Sequence, residues 1–156
     1  MTLYAESSAV LAWLLGEPRA ADVRACLASA ETIIASDLTL VECDRVLIRA
    51  AALGELSEAE AAGRRAELNA AAAHWTVLRV GAEVVDRARQ RFPVEPVRTL
   101  DALHIASALA AKTAVADVVV LSLDDHVRVN ARALGFDLRP ADADLPRDPT
   151  ARTTLA

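Results

Sequence analysis

Val118-Val119-Val120-Leu121-Ser122-Leu123-Asp124 is the stretch that decides the fold. Four uninterrupted apolar residues leave no polar face, which is the pattern of a strand covered by helices on both sides of a parallel sheet. The run stops at a small polar residue, and two positions later an acid opens a helix that extends to about Leu134, where Gly135 ends it. The same handover from strand to helix recurs upstream. Thr2 to Ala5 is a short strand that turns through Glu6-Ser7-Ser8 into an apolar helix to about Leu15, with Ser7 or Ser8 as its cap. Pro18 is placed to start a second helix to about Ala28.

Thr32 to Ala35 is the next strand, and Ser36-Asp37 open a long helix to about Leu53, with Leu40, Cys43 and Leu47 at helical spacing and Val41 and Ile48 beside them. After Gly54, Ser57 and Glu60 have the form of a capping box for an Ala-rich helix to about Ala73. The two helices make an inserted helical hairpin. Trp75 to Val80 is a third strand, residues 82–90 a helix, and Pro93 and Pro96 mark a loop. Thr99 is expected to cap a helix from Leu100 to about Lys112, and Phe136 to Leu138 adds an edge strand. Strands alternating with helices predict a parallel sheet with helices on both faces.

The chain has 156 residues, enough for one domain with a proper core. Aromatics are only 3% against 54% hydrophobic residues, so the core is built from Ala, Leu and Val. Cys26 and Cys43 are too few and too distant for a disulfide framework and read as buried thiols of a reducing compartment. The first residues lack both the basic start of a signal peptide and the length of a membrane span, which places the protein in the cytoplasm and off the membrane. A net charge of −5 argues against broad attraction to nucleic acid without excluding a local site. Sixteen of the seventeen basic residues are Arg, the better fork for phosphate and carboxylate partners.

Four acids, Glu6, Glu42, Asp101 and Asp124, each fall where a strand hands over to a helix or on an early turn of one. In a parallel sheet such points gather at one edge. Each acid also has an ordinary explanation: a solvated turn for Glu6, a pair with Arg45 for Glu42, the helix dipole for Asp101, a cap for Asp124. Glu42 and Asp101, however, are embedded in apolar helix, and acids are almost never buried without a partner. No Lys is near, and several carboxylates in one pocket stay ionised together most readily around divalent cations.

Leu3-Tyr4-Ala5-Glu6-Ser7-Ser8, Leu38-Thr39-Leu40-Val41-Glu42, Arg98-Thr99-Leu100-Asp101-Ala102-Leu103-His104-Ile105-Ala106 and Leu121-Ser122-Leu123-Asp124 resemble the four signature segments of PIN-domain nucleases, most closely the VapC type of toxin ribonuclease. The resemblance covers residues 2 to about 139. It implies an α/β/α sandwich on a five-stranded parallel sheet, with residues 1–139 as the nuclease domain and 140–156 as a polar tail. It also implies a pocket for Mg²⁺ or Mn²⁺, with Glu6, Glu42, Asp101 and Asp124 as catalytic metal ligands and Ser7 and Ser122 supporting them. The implied activity is hydrolysis of RNA to 5′-phosphate and 3′-hydroxyl ends, by metal-activated water rather than a side-chain nucleophile. A cognate antitoxin and a homodimer are the implied protein partners.

One residue departs from the family pattern. Its first acid is normally Asp, and Glu6 carries an extra methylene. Magnesium demands near-octahedral bonds of about 2.0–2.1 Å, so the longer arm has to fold back or shift the ion. Weakened activity, a preference for Mn²⁺ and a harmless change are the three open outcomes, and a noncatalytic RNA- or partner-binding module is the alternative reading. Arg45 and Arg49 share a helical face with Glu42 and, with Arg98, are candidates for RNA or antitoxin contact; His104 reads as a packing or hydrogen-bonding residue. A phosphate-accepting receiver domain is excluded by the position of Lys112, the only Lys. A haloacid-dehalogenase-like phosphatase is excluded by the lack of Asp-x-Asp after the first strand.

Overall fold

The computed structural model describes residues 1–142. Twelve elements alternate as the hydrophobic pattern predicts: β1 (Thr2–Ala5), α1 (Ser7–Leu15), α2 (Ala20–Ser29), β2 (Thr32–Ser36), α3 (Asp37–Ala52), α4 (Glu58–Ala72), β3 (Thr76–Leu78), α5 (Ala82–Ala88), α6 (Thr99–Ala114), β4 (Val118–Leu121), α7 (Asp125–Ala133) and β5 (Asp137–Arg139). The five strands form one sheet in the order β3-β2-β1-β4-β5, with every pairing parallel. The chain moves outward from β1 through β2 to β3, then crosses back to β4 and continues to β5. The order therefore reverses beside β1, between it and β4, and in open α/β sheets ligands bind outside the carboxyl ends of the strands at such a reversal.

Alternation along β1 divides the core. Tyr4 points to one face, where it packs in a cluster with Ile105, Ala108, Val120, Val127 and Phe136. Leu3 and Ala5 point to the other, with Val10, Leu14, Cys43 and Leu68 on Ala5 and Ala9, Val23 and Leu121 on Leu3. The result is three layers, with α1 to α4 covering one face and α5 to α7 the other. Small side chains allow close approach: Ala102, Ala106, Ala108 and Ala111 of α6 are all buried.

The helical hairpin of α3 and α4 is present. Its start is capped reciprocally, with Ser57 Oγ accepting from Glu60 N (3.0 Å) and Glu60 Oε2 accepting from Ser57 N (2.8 Å). Arg65 clips it to α3 through both oxygens of Asp44, at 3.1 and 3.2 Å. Val41 and Ile48 do not join the interior face of α3; they are 56% and 43% exposed.

Two caps differ from expectation. Glu6 itself caps α1, its side chain accepting from Ser8 N, and Arg98 rather than Thr99 occupies the N-cap of α6 without a side-chain cap bond. Of the polar tail expected at 140–156, residues 143–156 lie outside the described residues. Its first residues are fastened: buried Arg128 of α7 donates to Ser122 O (2.8 Å), Pro140 O (2.9 Å) and Asp142 Oδ1 (2.7 Å). Among the described residues no disulfide forms; Cys26 is only partly buried, whereas Cys43 is buried and burial pushes its thiol well above the usual range. Among the described residues, no helix is long and apolar enough to cross a membrane.

Candidate active site

The carboxyl ends of the central strands deliver two of the four acids and one supporting serine to one edge. Glu6 follows β1 directly, and its backbone N–H continues the sheet by donating to Leu121 O of β4 (3.0 Å). Ser122 follows β4, and Asp124 caps α7, its Oδ1 accepting from Val127 N (3.0 Å). Glu42 arrives on the second turn of α3 and Asp101 on the first turn of α6. Glu42, Arg98, Thr99, Leu100 and Asp101 line a cleft of about 310 Å³.

The side chains divide the four acids into two pairs. Glu6 and Glu42 make the inner pair. Ser7 Oγ lies 2.8 Å from Glu6 Oε1 and 2.7 Å from Glu42 Oε2, yet a hydroxyl has one proton to give. The second positive element is His104, 1% exposed, whose Nε2 bonds Glu42 Oε2 and stands 3.6 Å from Glu6 Oε1. Burial alone would push this imidazole toward neutrality. The bond to Glu42 and the charges of Glu6, Glu42 and Asp101 outweigh burial and raise its pKa above the ordinary 6.5. Burial likewise acts to raise the Glu42 pKa, but the bonds from His104 and Ser7 win and lower it. A protonated ring donates through Nε2 to Glu42 and through Nδ1 toward the Tyr4 hydroxyl (3.5 Å), which donates onward to Ser36 Oγ (3.3 Å).

Glu6 is also folded back on its own helix. Its Oε1 accepts from Ser8 N (3.1 Å), and its Oε2 from Ser122 Oγ (2.8 Å) and Ser8 Oγ. The extra methylene is thus taken up by curling toward the α1 N-terminus, whose dipole favours the charge.

Asp101 and Asp124 make the outer pair, and Arg98 joins them. Its Nε donates to Asp101 Oδ2 at 2.9 Å and one terminal nitrogen to Asp124 Oδ2 at 3.4 Å. No Lys reaches these acids among the described residues, but other cationic side chains do: His104 serves Glu42 and Arg98 serves Asp101.

Among the described residues, Glu6, Glu42 and His104 place one ligand atom each within 4.8 Å of one another, a set that could hold a metal ion. Two hard carboxylates and one imidazole suit a divalent ion such as Mn²⁺ or Mg²⁺, and Ser7 already occupies the point where their lone pairs converge. The donor chemistry fits. Ser7 and Ser122 both brace Glu6, as the sequence suggests. Arg45 and Arg49 do not join the carboxylates. They line a separate, mainly apolar groove with Leu11, Val41, Ile48 and Leu100 that reaches Glu42 at one end. Arg128, buried behind Ser122, went unread because nothing local distinguishes it from a solvated Arg of α7.

Comparison with known proteins bears on the family and the fold. The PIN domain family model matches residues 3–134. Ribonuclease VapC46 of Mycobacterium tuberculosis is 34% identical over 134 residues, spanning 86% of this chain and 93% of the relative. Among solved structures, M. tuberculosis VapC20, described as a sarcin-ricin loop cleaving toxin, superposes with a TM-score of 0.60 at 18% identity, covering 86% of this chain and 95% of that one. VapBC2 from Rickettsia felis, solved bound to a DNA fragment from its promoter, gives 0.59 at 10% identity, with 88% and 97% covered. Those two likenesses concern the fold; the family model and the 34% identical relative carry the assignment, and with them the chain belongs to the PIN-domain family.

Proposed function

We propose that this chain is a divalent-metal-dependent endoribonuclease acting as the toxin of a toxin–antitoxin pair, with residues 1–139 as its nuclease domain. The observation that carries the reading is the set of acids at the carboxyl edge of the central strands, in a chain that shares 34% identity with a ribonuclease over most of its length. Glu6, Glu42, Asp101 and Asp124 would hold a Mg²⁺ or Mn²⁺ ion, and His104 could add a ligand only by giving up its proton and its bond to Glu42. Such an ion supplies Lewis acidity toward water and the phosphoryl oxygens.

The protein's own groups prepare the site. Ser7, Ser8 and Ser122 fix the Glu6 carboxylate, and His104 fixes that of Glu42. Ser7 is committed to two carboxylates, so it serves as a support and not as a nucleophile. Products then carry 5′-phosphate and 3′-hydroxyl ends. The groove edged by Arg45 and Arg49, with the exposed Val41, Ile48 and Leu100, is the surface an antitoxin would cover. A homodimer and a cytoplasmic location belong to the same reading.

The test is cleavage of a mixed RNA pool by purified, partner-free protein in Mg²⁺, Mn²⁺ or EDTA, with Asp101→Asn as control. Metal-dependent cutting that leaves 5′-phosphates and vanishes in the variant is expected. Cutting that persists in EDTA, or in Asp101→Asn, would sink the assignment. One observation favours a second reading, a catalytically weakened RNA- or partner-binding module: Glu6 is saturated by the serines around it. Greater activity in Glu6→Asp would support that reading.

A further inference from the structure

The outer pair of acids is neutralised by a side chain that is free to leave. Arg98 is 71% exposed, whereas His104, the cation of the inner pair, is 1% exposed and enclosed by the core. The Arg98 backbone is fixed: its carbonyl accepts from Ala102 N (2.9 Å) and its φ/ψ of −73°/158° are those of an unstrained helix cap. Only the side chain needs to move. Both bonds are exposed at the Arg98 end while Asp101 is buried and Asp124 partly so, and the longer bond, to Asp124, is of the exposed class that contributes little and is screened by salt. A divalent ion offers the same carboxylates twice the charge. The guanidinium also lines the cleft with Glu42, Thr99, Leu100 and Asp101, so a side chain displaced from the acids stays at the mouth of the site.

We infer that Arg98 is a metal-gated phosphate arm, which neutralises Asp101 and Asp124 in the metal-free protein and is released by the incoming ion to bind the RNA backbone in the same cleft. The inference rests on the metal-dependent ribonuclease reading and adds a coupling to it. Metal and Arg98 compete for two carboxylates, and the loser of that competition is a planar fork suited to phosphate. Linkage then requires that metal strengthen RNA binding more when Arg98 is present than when it is absent. The contact is to backbone, so it carries no sequence preference.

Two titrations on the full chain test this. In the first, Mn²⁺ alone is titrated calorimetrically into wild type, Arg98→Gln and Arg98→Lys. In the second, a labelled, cleavage-resistant phosphorothioate single-stranded RNA of mixed sequence is titrated by polarisation, in Mn²⁺ and in EDTA. Arg98→Gln should bind Mn²⁺ about fivefold tighter than wild type, and in Mn²⁺ it should bind RNA about fivefold more weakly, the lower range of ordinary site-to-site coupling. In EDTA the variant and wild type should bind RNA alike, and Arg98→Lys should fall between them in Mn²⁺. Equal Mn²⁺ affinities in wild type and Arg98→Gln overturn the gate while leaving the metal reading intact. An RNA loss of equal size with and without Mn²⁺ overturns it too, by making Arg98 a constitutive contact. Failure of wild type to bind Mn²⁺ at all overturns both the gate and the metal reading beneath it.

Discussion

The two halves of the acidic site solve one electrostatic problem in opposite ways. The inner half, Glu6 and Glu42, has a sealed cation, the buried His104 imidazole, and its oxygens are taken by Ser7, Ser8 and Ser122, although Glu42 itself is partly exposed to the cleft. The outer half, Asp101 and Asp124, has an open cation, an exposed Arg on a fixed backbone, although Asp101 itself is buried. A sealed pair holds its shape without an ion but resists rearrangement, since removing one partner of a buried pair leaves an uncompensated charge. An open pair contributes little to stability and yields readily to a competitor. The site therefore combines a preorganised wall with an adjustable one.

The contrast predicts which substitutions hurt activity and which hurt the fold. The largest effect is expected on catalysis from the open side. Asp101→Asn should lower RNA cleavage by more than about 100-fold, beyond what loss of a merely supporting residue costs a metal site, with little change in its urea midpoint. A loss under tenfold in a gel-based cleavage assay would remove Asp101 from the metal site.

Next comes the sealed side, where the fold itself should suffer. His104→Ala leaves Glu42 and Glu6 facing each other and should destabilise the EDTA-treated protein by about 3 kcal/mol in urea unfolding. Mn²⁺ should restore part of that stability by taking the place of the imidazolium. A variant as stable as wild type in EDTA would show that the ring is not the cation of this pair.

The pH dependence of the metal-free protein follows from the same two groups. The His104 pKa is raised in the fold, so its contribution is full below the ordinary imidazole value and fades as pH rises through the raised value. The Glu42 pKa is lowered, so its contribution is present above the ordinary carboxylate value and fades as pH falls through the lowered one. Stability in EDTA should thus decline from near-neutral toward alkaline pH and again toward strong acid. His104→Gln should flatten the alkaline limb, and an unchanged limb in that variant would assign the pH dependence elsewhere.

The smallest effects concern the cap and the arm. Glu6→Asp should change stability by less than about 1 kcal/mol, because Asp also caps helices well, and it should not raise cleavage. A clear rise would mark Glu6 as a weakening of the site. Arg98→Gln should leave the urea midpoint close to that of wild type, since the guanidinium is exposed and screened; a clear drop would mean that Arg98 holds the fold together.

Much of the architecture was legible because its signals are local. The run Val118–Leu121 has no polar face to turn to water, and it became the strand paired with β1. Ser57 and Glu60 stand three apart and cap each other as written. Other features had no local signal. Val41 and Ile48 sit beside the helical repeat of α3, yet the partner helices cover only one side, leaving both exposed. Ser7 and Ser8 are better caps by residue type than Glu6, but a longer carboxylate turning back from the end of β1 reaches the same N–H groups. Arg128 is buried only because the chain after β5 lays its carbonyls across α7.

The sequence by itself determined that a parallel sheet would bring the ends of β1, β2 and β4 to one edge, and that Glu6, Glu42, Asp101 and Asp124 would be carried there. Periodicity and capping are set by neighbours a few residues away. Only the tertiary structure decided how those acids are shared out: Glu6 and Glu42 to Ser7 and His104, Asp101 and Asp124 to Arg98. Ser7 and His104 are 97 residues apart, and Glu42 and His104 are 62. Side chains so distant meet because the strand order β3-β2-β1-β4-β5 sets α6 against the mouth of β1, and within that space each carboxylate takes the donor that geometry brings nearest.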